Sequence, residues 1–307
     1  MDNTTTLDTP HAPRPHTPTP TQAWLLAARP KTLPAARRPR HRRLGRRHRR
    51  PRLPPRRGHR RFAVALLLQI GANFSNDLFD FRSGADTHER LGPTRVTQSG
   101  ILSPRAVALG TVVVMTLAAV AGMYLVYRAG WVLLLLGIAA ILSALAYTGG
   151  PFPLGYNGLG EVFVLIFFGF VAVTGTYYTQ ARDISGLSLA AAIPVGALVV
   201  NILVVNNLRD IDTDRRAGKR TVAVRLGPVG TQLEYILLLA VAYLTLPILW
   251  AIGWLNFWWF LPWATSLAWL LVQQIRTRTG RALNATLAGT ARLELLFGLL
   301  LAISIIL

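Results

Sequence analysis

Two groups of Asn and Asp interrupt otherwise apolar stretches of this chain. The first is Asn73, Asn76, Asp77 and Asp80 in GANFSNDLFD, and the second is Asn206, Asn207, Asp210 and Asp214 in VVNNLRDIDTD. On a helix, Asn73, Asp77 and Asp80 stand at i, i+4 and i+7, and Asn206, Asp210 and Asp214 at i, i+4 and i+8, so each set turns its oxygens one way. Carboxylates beside a membrane are costly unless paired, hydrated or bound to metal. Two facing sets of hard oxygen donors suit Mg²⁺, which prefers octahedral oxygen and commonly bridges one or two carboxylates to substrate phosphates. A diphosphate is the natural third party. Helix capping or loop solvation accounts for either group alone, but the pattern repeats at equivalent helix ends four spans apart.

Cations suited to an anionic ligand flank both groups: Arg82, Arg90 and Arg95 beside the first, and Arg209, Arg215, Lys219 and Arg220 beside the second. Arg95 and Lys219 are the leading candidates, because each lies in a Gly-containing stretch (RLGPTRVTQSG, RRAGKRTVAVRLG) whose backbone can fold close over a phosphate.

The elements that must position these residues are membrane spans. Of 307 residues, 52% are hydrophobic, none is Cys, and the formal net charge is +20. From Phe62 onward, apolar runs of roughly 20 residues, long enough to cross a bilayer core as helices, alternate with short polar or Gly/Pro loops. Eight runs are legible, near 62–81, 105–127, 131–148, 158–180, 187–208, 232–253, 255–274 and 287–307. A soluble helical core needs a charged outer face, and WVLLLLGIAAILSALAY has none. The absence of Cys excludes a thiolate nucleophile.

Lys and Arg after the first, fifth and seventh runs assign those loops, and both acid groups, to the cytoplasmic side of the cell's inner membrane. The Pro/Thr-rich residues 1–22 read as a disordered polar leader. Residues 23–61 form a cytoplasmic lead-in followed by an aberrant Arg/Pro-rich segment, with 62–307 as the transmembrane domain. Fourteen arginines fall between Arg37 and Arg61, and without them the +20 drops to about +6. That segment cannot cross a bilayer. It reads either as a basic arm for nucleic acid or anionic lipid or, preferably, as a GC-rich stretch translated out of frame in place of a first span.

With these residues in hand, the chain resembles the UbiA superfamily of membrane prenyltransferases. The resemblance runs through WLLAARPKTLPAA, QIGANFSNDLFDFRSGADTHERLGPTRVTQSG, GYNGLGEVFVLIFFGFVAVTGTYYTQ, NNLRDIDTDRRAGKRTVAVRLG and LAGTARLELLFGLLLAI. The stretch AYTGGPFPLGYNGLGE carries no Lys or Arg, which favours the branch acting on 1,4-dihydroxy-2-naphthoate in menaquinone biosynthesis. The resemblance implies an all-α polytopic bundle of nine spans around a cavity open sideways to lipid. Here the first is missing.

It further implies that Asn73, Asp77, Asp80, Asn206, Asp210 and Asp214 hold Mg²⁺ on a polyprenyl diphosphate. Asp77, Asp210, Lys219, Arg95 and Tyr147 would serve the chemistry, with Tyr147 facing an allylic cation. Lys31, Arg82, Asn76, Asn207, Arg209 and Glu161 would bind the substrates. The implied partners are the diphosphate donor, an aromatic acceptor and the bilayer, without nucleic acid. A different acceptor, such as a phenolic acid or a glycerol phosphate, keeps the same chemistry. A cation-coupled transporter fits less well, because its acids belong near the bilayer midplane at broken helices.

Overall fold

The computed structural model describes residues 18–29, 58–85 and 91–307, all of the regular structure among them being helical. In chain order the helices are α1 (Pro20–Ala28), α2 (Gly58–Arg82), α3 (Pro104–Ala129), α4 (Val132–Ala146), α5 (Gly160–Ala181), α6 (Gly186–Arg209), α7 (Ile211–Arg216), α8 (Val222–Ala251), α9 (Leu267–Thr277) and α10 (Leu283–Ile306). Short 3₁₀ turns precede α9 and α10. Helix starts carry their own signals. Ser103, Ser185 and Thr221 each accept the N–H three residues on, and Pro104 fills the first turn of α3.

Six of these helices, α2, α3, α5, α6, α8 and α10, are long and apolar enough to cross a membrane, which makes the chain a multi-pass membrane protein. All eight expected apolar runs are helical, with three corrections. The third is α4, only 15 residues long. The sixth begins at Val222 rather than 232, passing through a kink at Gly227 (φ 71°). The seventh is divided into a 3₁₀ stretch, Phe257–Ala264, and α9, because Pro262 interrupts the ladder and Asn256 caps Trp258.

Upstream, helix α1 takes in Pro20, Thr21 and Gln22, the end of the segment expected to be a disordered leader. Thr19 and Gln22 close a reciprocal capping box there. Residues 37–57 of the arginine-rich segment lie outside the described residues. Gly58–Arg61 form the first turn of α2.

Helix α6 is the central element. Its Leu198, Val204 and Val205 pack against Tyr235, Leu239 and Leu246 of α8 and Leu293 and Phe297 of α10. Polar stitches cross this core, Asn201 donating to the Tyr235 carbonyl (3.1 Å) and the Tyr235 hydroxyl meeting Thr290 (3.0 Å). On its other side α6 meets α5 backbone to backbone, since a Cβ at Gly169 would fall 2.9 Å from Gly196 Cα. Apolar burial drives little association in lipid, so close approach of small residues is the expected glue. At this contact Leu165–Val171 of α5 winds as a π-helix, the widened turn that recurs at functional sites.

Candidate active site

Helices α2 and α6 both end, and α3 and α5 both begin, at one end of the bundle. The C-terminal turns of α2 and α6 therefore face each other. Between them opens a cavity of about 580 Å³. Its polar end is lined by Asn73, Asn76 and Asp80 from α2, Asn206 and Asn207 from α6, and Asp210 and Asp214 at the α6–α7 junction. Arg95, Lys219 and Tyr147 complete that end. Away from it the walls turn apolar, with Met123 and Val126 of α3, Leu133 and Leu136 of α4, and Phe163, Phe167 and Val171 of α5. Phe163 and Phe167 stack with centroids 6.2 Å apart. From Phe163 to Thr179, another lining residue, α5 rises roughly 24 Å, most of a bilayer core.

Asp80 is the densest node. It is 2% exposed, accepts from Tyr156 Oη (2.6 Å) and Lys219 Nζ (3.3 Å), and pairs with Arg95. Lys219 also reaches Asp214 (3.5 Å). Burial pushes the Asp214 carboxyl up to about 6; Lys219 opposes the rise, and the charges of Asp210 and Asp80 add to it. Asn76 accepts from Thr148 (3.0 Å), and Asn73 donates to the Ala28 carbonyl (3.0 Å).

Four expected site residues do not line this cavity. Asp77 lies behind it, its two oxygens accepting the N–H groups of Val96 (3.1 Å) and Thr97 (3.0 Å) with Arg29 at 4.0 Å. In this arrangement the carboxylate clamps the 95–97 loop. Arg209 is also turned inward, donating to Asp210 and Asn206 and, at 2.8 Å, to Asn284, so it braces the second acid group. Glu161 accepts from Asn207 (2.9 Å), which itself lines the cavity. Arg82 is exposed at the end of α2. Lys31 and Arg90 lie outside the described residues.

Other contributors were missed. Arg29, beside the favoured Lys31, lines the cavity from a left-handed cap position (φ 52°). Asn284 ties Arg209 to the Leu91 carbonyl (3.1 Å). Tyr156 is a hydroxyl donor to Asp80. The GYNGLGE motif marked its neighbourhood but not its partner, 76 residues away.

The donor set fits a divalent cation in one respect and limits it in another. The lining acids and amides are all hard oxygen donors. Among the described residues, no cluster of three or more acidic or His side chains converges to hold an ion alone. A Mg²⁺ ion held here would draw the rest of its shell from substrate phosphates and water.

Residues 53–299 match the profile of the UbiA prenyltransferase family. The chain belongs to the UbiA prenyltransferase family. Among curated UbiA relatives, the 1,4-dihydroxy-2-naphthoate octaprenyltransferase of Mycobacterium tuberculosis is 47% identical over 180 residues, 59% of this chain and 61% of that protein. The Escherichia coli enzyme of the same name is 37% identical over 232 residues, 71% and 73% of the two chains. This chain thus spans about three fifths of the length of its mycobacterial relative (61%). The UbiA fold itself is shared with a homolog from Archaeoglobus fulgidus described as bound to DMAPP and Mg²⁺. That structure aligns with a TM-score of 0.62 over 92% of this chain and 99% of the other, at 14% identity.

Proposed function

We propose that this UbiA family member transfers a polyprenyl chain from its diphosphate to 1,4-dihydroxy-2-naphthoate, with loss of CO₂, giving the hydroquinone form of a demethylmenaquinone, which a separate oxidation converts to the quinone. The observation that carries the reading is the union, in one cavity, of a polar end lined by carboxylates, amides and cations with long apolar walls. The names of the mycobacterial and Escherichia coli relatives support the acceptor.

In this reading Asp80, Asp210, Asp214, Asn73, Asn76 and Asn206 would hold Mg²⁺, which when bound supplies charge neutralisation to the departing diphosphate. Arg95 and Lys219 present cations to the same oxygens. The allylic C–O bond breaks with its electron pair leaving on the diphosphate. Stacked Phe163 and Phe167 and the Tyr147 ring offer the allylic cation π faces and exclude water. The ring carbon bearing the carboxylate forms the new C–C bond; the bond to the carboxylate then breaks, returns its pair to the ring and releases CO₂. Asn207, held by Glu161, orients the acceptor. The Lys and Arg loop bias supports a location for this chemistry on the cytoplasmic face of the inner membrane.

The test is a membrane assay with labelled polyprenyl diphosphate, Mg²⁺ and carboxyl-labelled 1,4-dihydroxy-2-naphthoate. Lipid-soluble product with stoichiometric release of labelled CO₂ is expected. Product retaining the carboxyl label, or product only with a phenolic acid or glycerol phosphate acceptor, would overturn the acceptor assignment.

A further inference from the structure

Lys219 bridges the two acid groups. Its Nζ lies 3.3 Å from Asp80 of the first and 3.5 Å from Asp214 of the second, with the side chain 12% exposed. The ammonium stands 4.5 Å above the centroid of the Tyr156 ring. Tyr156 is itself fixed on both sides, its hydroxyl donating to Asp80 (2.6 Å) and its carbonyl accepting the N–H of Arg220, the residue next to Lys219 (2.7 Å).

One compact positive charge therefore sits between carboxylates from opposite halves of the bundle. We propose that Lys219 is an internal counter-ion which keeps free divalent cations out of the empty site, so that metal enters together with a diphosphate. The inference rests on the diphosphate reading above. In the empty site the ammonium offsets the repulsion between Asp80 and Asp214 and occupies lone pairs that a metal would need. A diphosphate offers the ammonium a stronger anionic partner. Its departure releases the lone pairs it held on Asp80 and Asp214 to the incoming ion, while Asp80 keeps its bonds to Tyr156 and Arg95. Tyr156 is a positioning residue here. Its ring docks the ammonium by cation–π attraction, and its hydroxyl holds Asp80 in register.

The test uses the full chain in nanodiscs and Mn²⁺ as the probe, titrated by electron paramagnetic resonance with and without inorganic pyrophosphate. Without pyrophosphate, Lys219→Met should bind Mn²⁺ at least about tenfold more tightly than the parent, a gain of about 1.4 kcal/mol. Lys219→Arg should stay near the parent. With pyrophosphate the order should reverse. Tyr156→Phe, which keeps the ring, should shift Mn²⁺ affinity less than Tyr156→Leu. Equal or weaker Mn²⁺ binding by Lys219→Met in the metal-only arm, with parental Mn²⁺–pyrophosphate binding intact, would overturn the counter-ion role alone. A parent that binds no Mn²⁺ even with pyrophosphate would overturn the diphosphate reading, and this inference with it.

Discussion

The two acid groups look interchangeable as sequence, yet the fold uses them differently. In the first, Asp77 is committed to two backbone N–H groups and Asp80 to Arg95, Tyr156 and Lys219. In the second, Asp210 is braced from behind by Arg209, and Asp214 faces the cavity with its carboxyl pushed up to about 6. In the first group Asp77 holds the 95–97 loop while Asp80 lines the cavity. In the second group both Asp210 and Asp214 line it. Equal spacing on a helix thus specifies a shared face but not a shared task, because the task depends on which loop folds back onto that face.

The largest expected effect separates the groups most cleanly. Asp210→Asn should lower prenyl transfer by about 10²–10³-fold, as loss of a charge-stabilising group does, and should abolish Mn²⁺–pyrophosphate binding. Asp77→Asn should instead leave one backbone N–H without an acceptor, costing about 1–3 kcal/mol in stability. Turnover should fall about tenfold while Mn²⁺–pyrophosphate affinity stays within about twofold of the parent. Equal loss of metal binding in the two variants would make Asp77 a direct ligand and erase the distinction.

The brace behind the second group is tested next. Asn284→Ala removes bonds to both Arg209 and the Leu91 carbonyl. A lower melting temperature, equivalent to about 1–2 kcal/mol, is expected, with a raised KM for the diphosphate donor as Arg209 loosens. An unchanged donor KM would show that Asp210 needs no support from that side. The smallest effect belongs to Glu161→Gln, which retains an acceptor for Asn207 but loses its charge. The KM for the aromatic acceptor should rise about two- to fivefold, with the donor KM unchanged.

Much of this was legible in the sequence because it is local. Helical spacing placed Asn73 with Asp80 and Asn206 with Asp214, and apolar length marked the spans. What escaped depends on long-range closure. The Asp77 clamp needs residues 95–97 to return 19 and 20 positions later, and Tyr156 meets Asp80 only once α4 and α5 are packed. Local geometry misled at Gly227 and Pro228, a pair that reads as a loop but sits inside α8 as a kink. Pro262 had the opposite effect, since an aromatic-rich run long enough for a span was divided by one imino acid.

Helix α1 is held to the bundle by Trp24, whose ring fills the space over Gly110 and meets Phe74 at 5.4 Å, and by the bond from Asn73 to the Ala28 carbonyl. The chain is therefore fastened immediately before residue 30, and it resumes as helix at Gly58. Whatever sequence joins those points is a closed insert rather than a free end, and closure entropy changes only slowly with its length, by about 0.6 kcal/mol per doubling. This makes the connection a natural cassette. A donor segment bearing an apolar span can be exchanged for residues 30–57, and the exchanged chain compared with the parent in the same membrane.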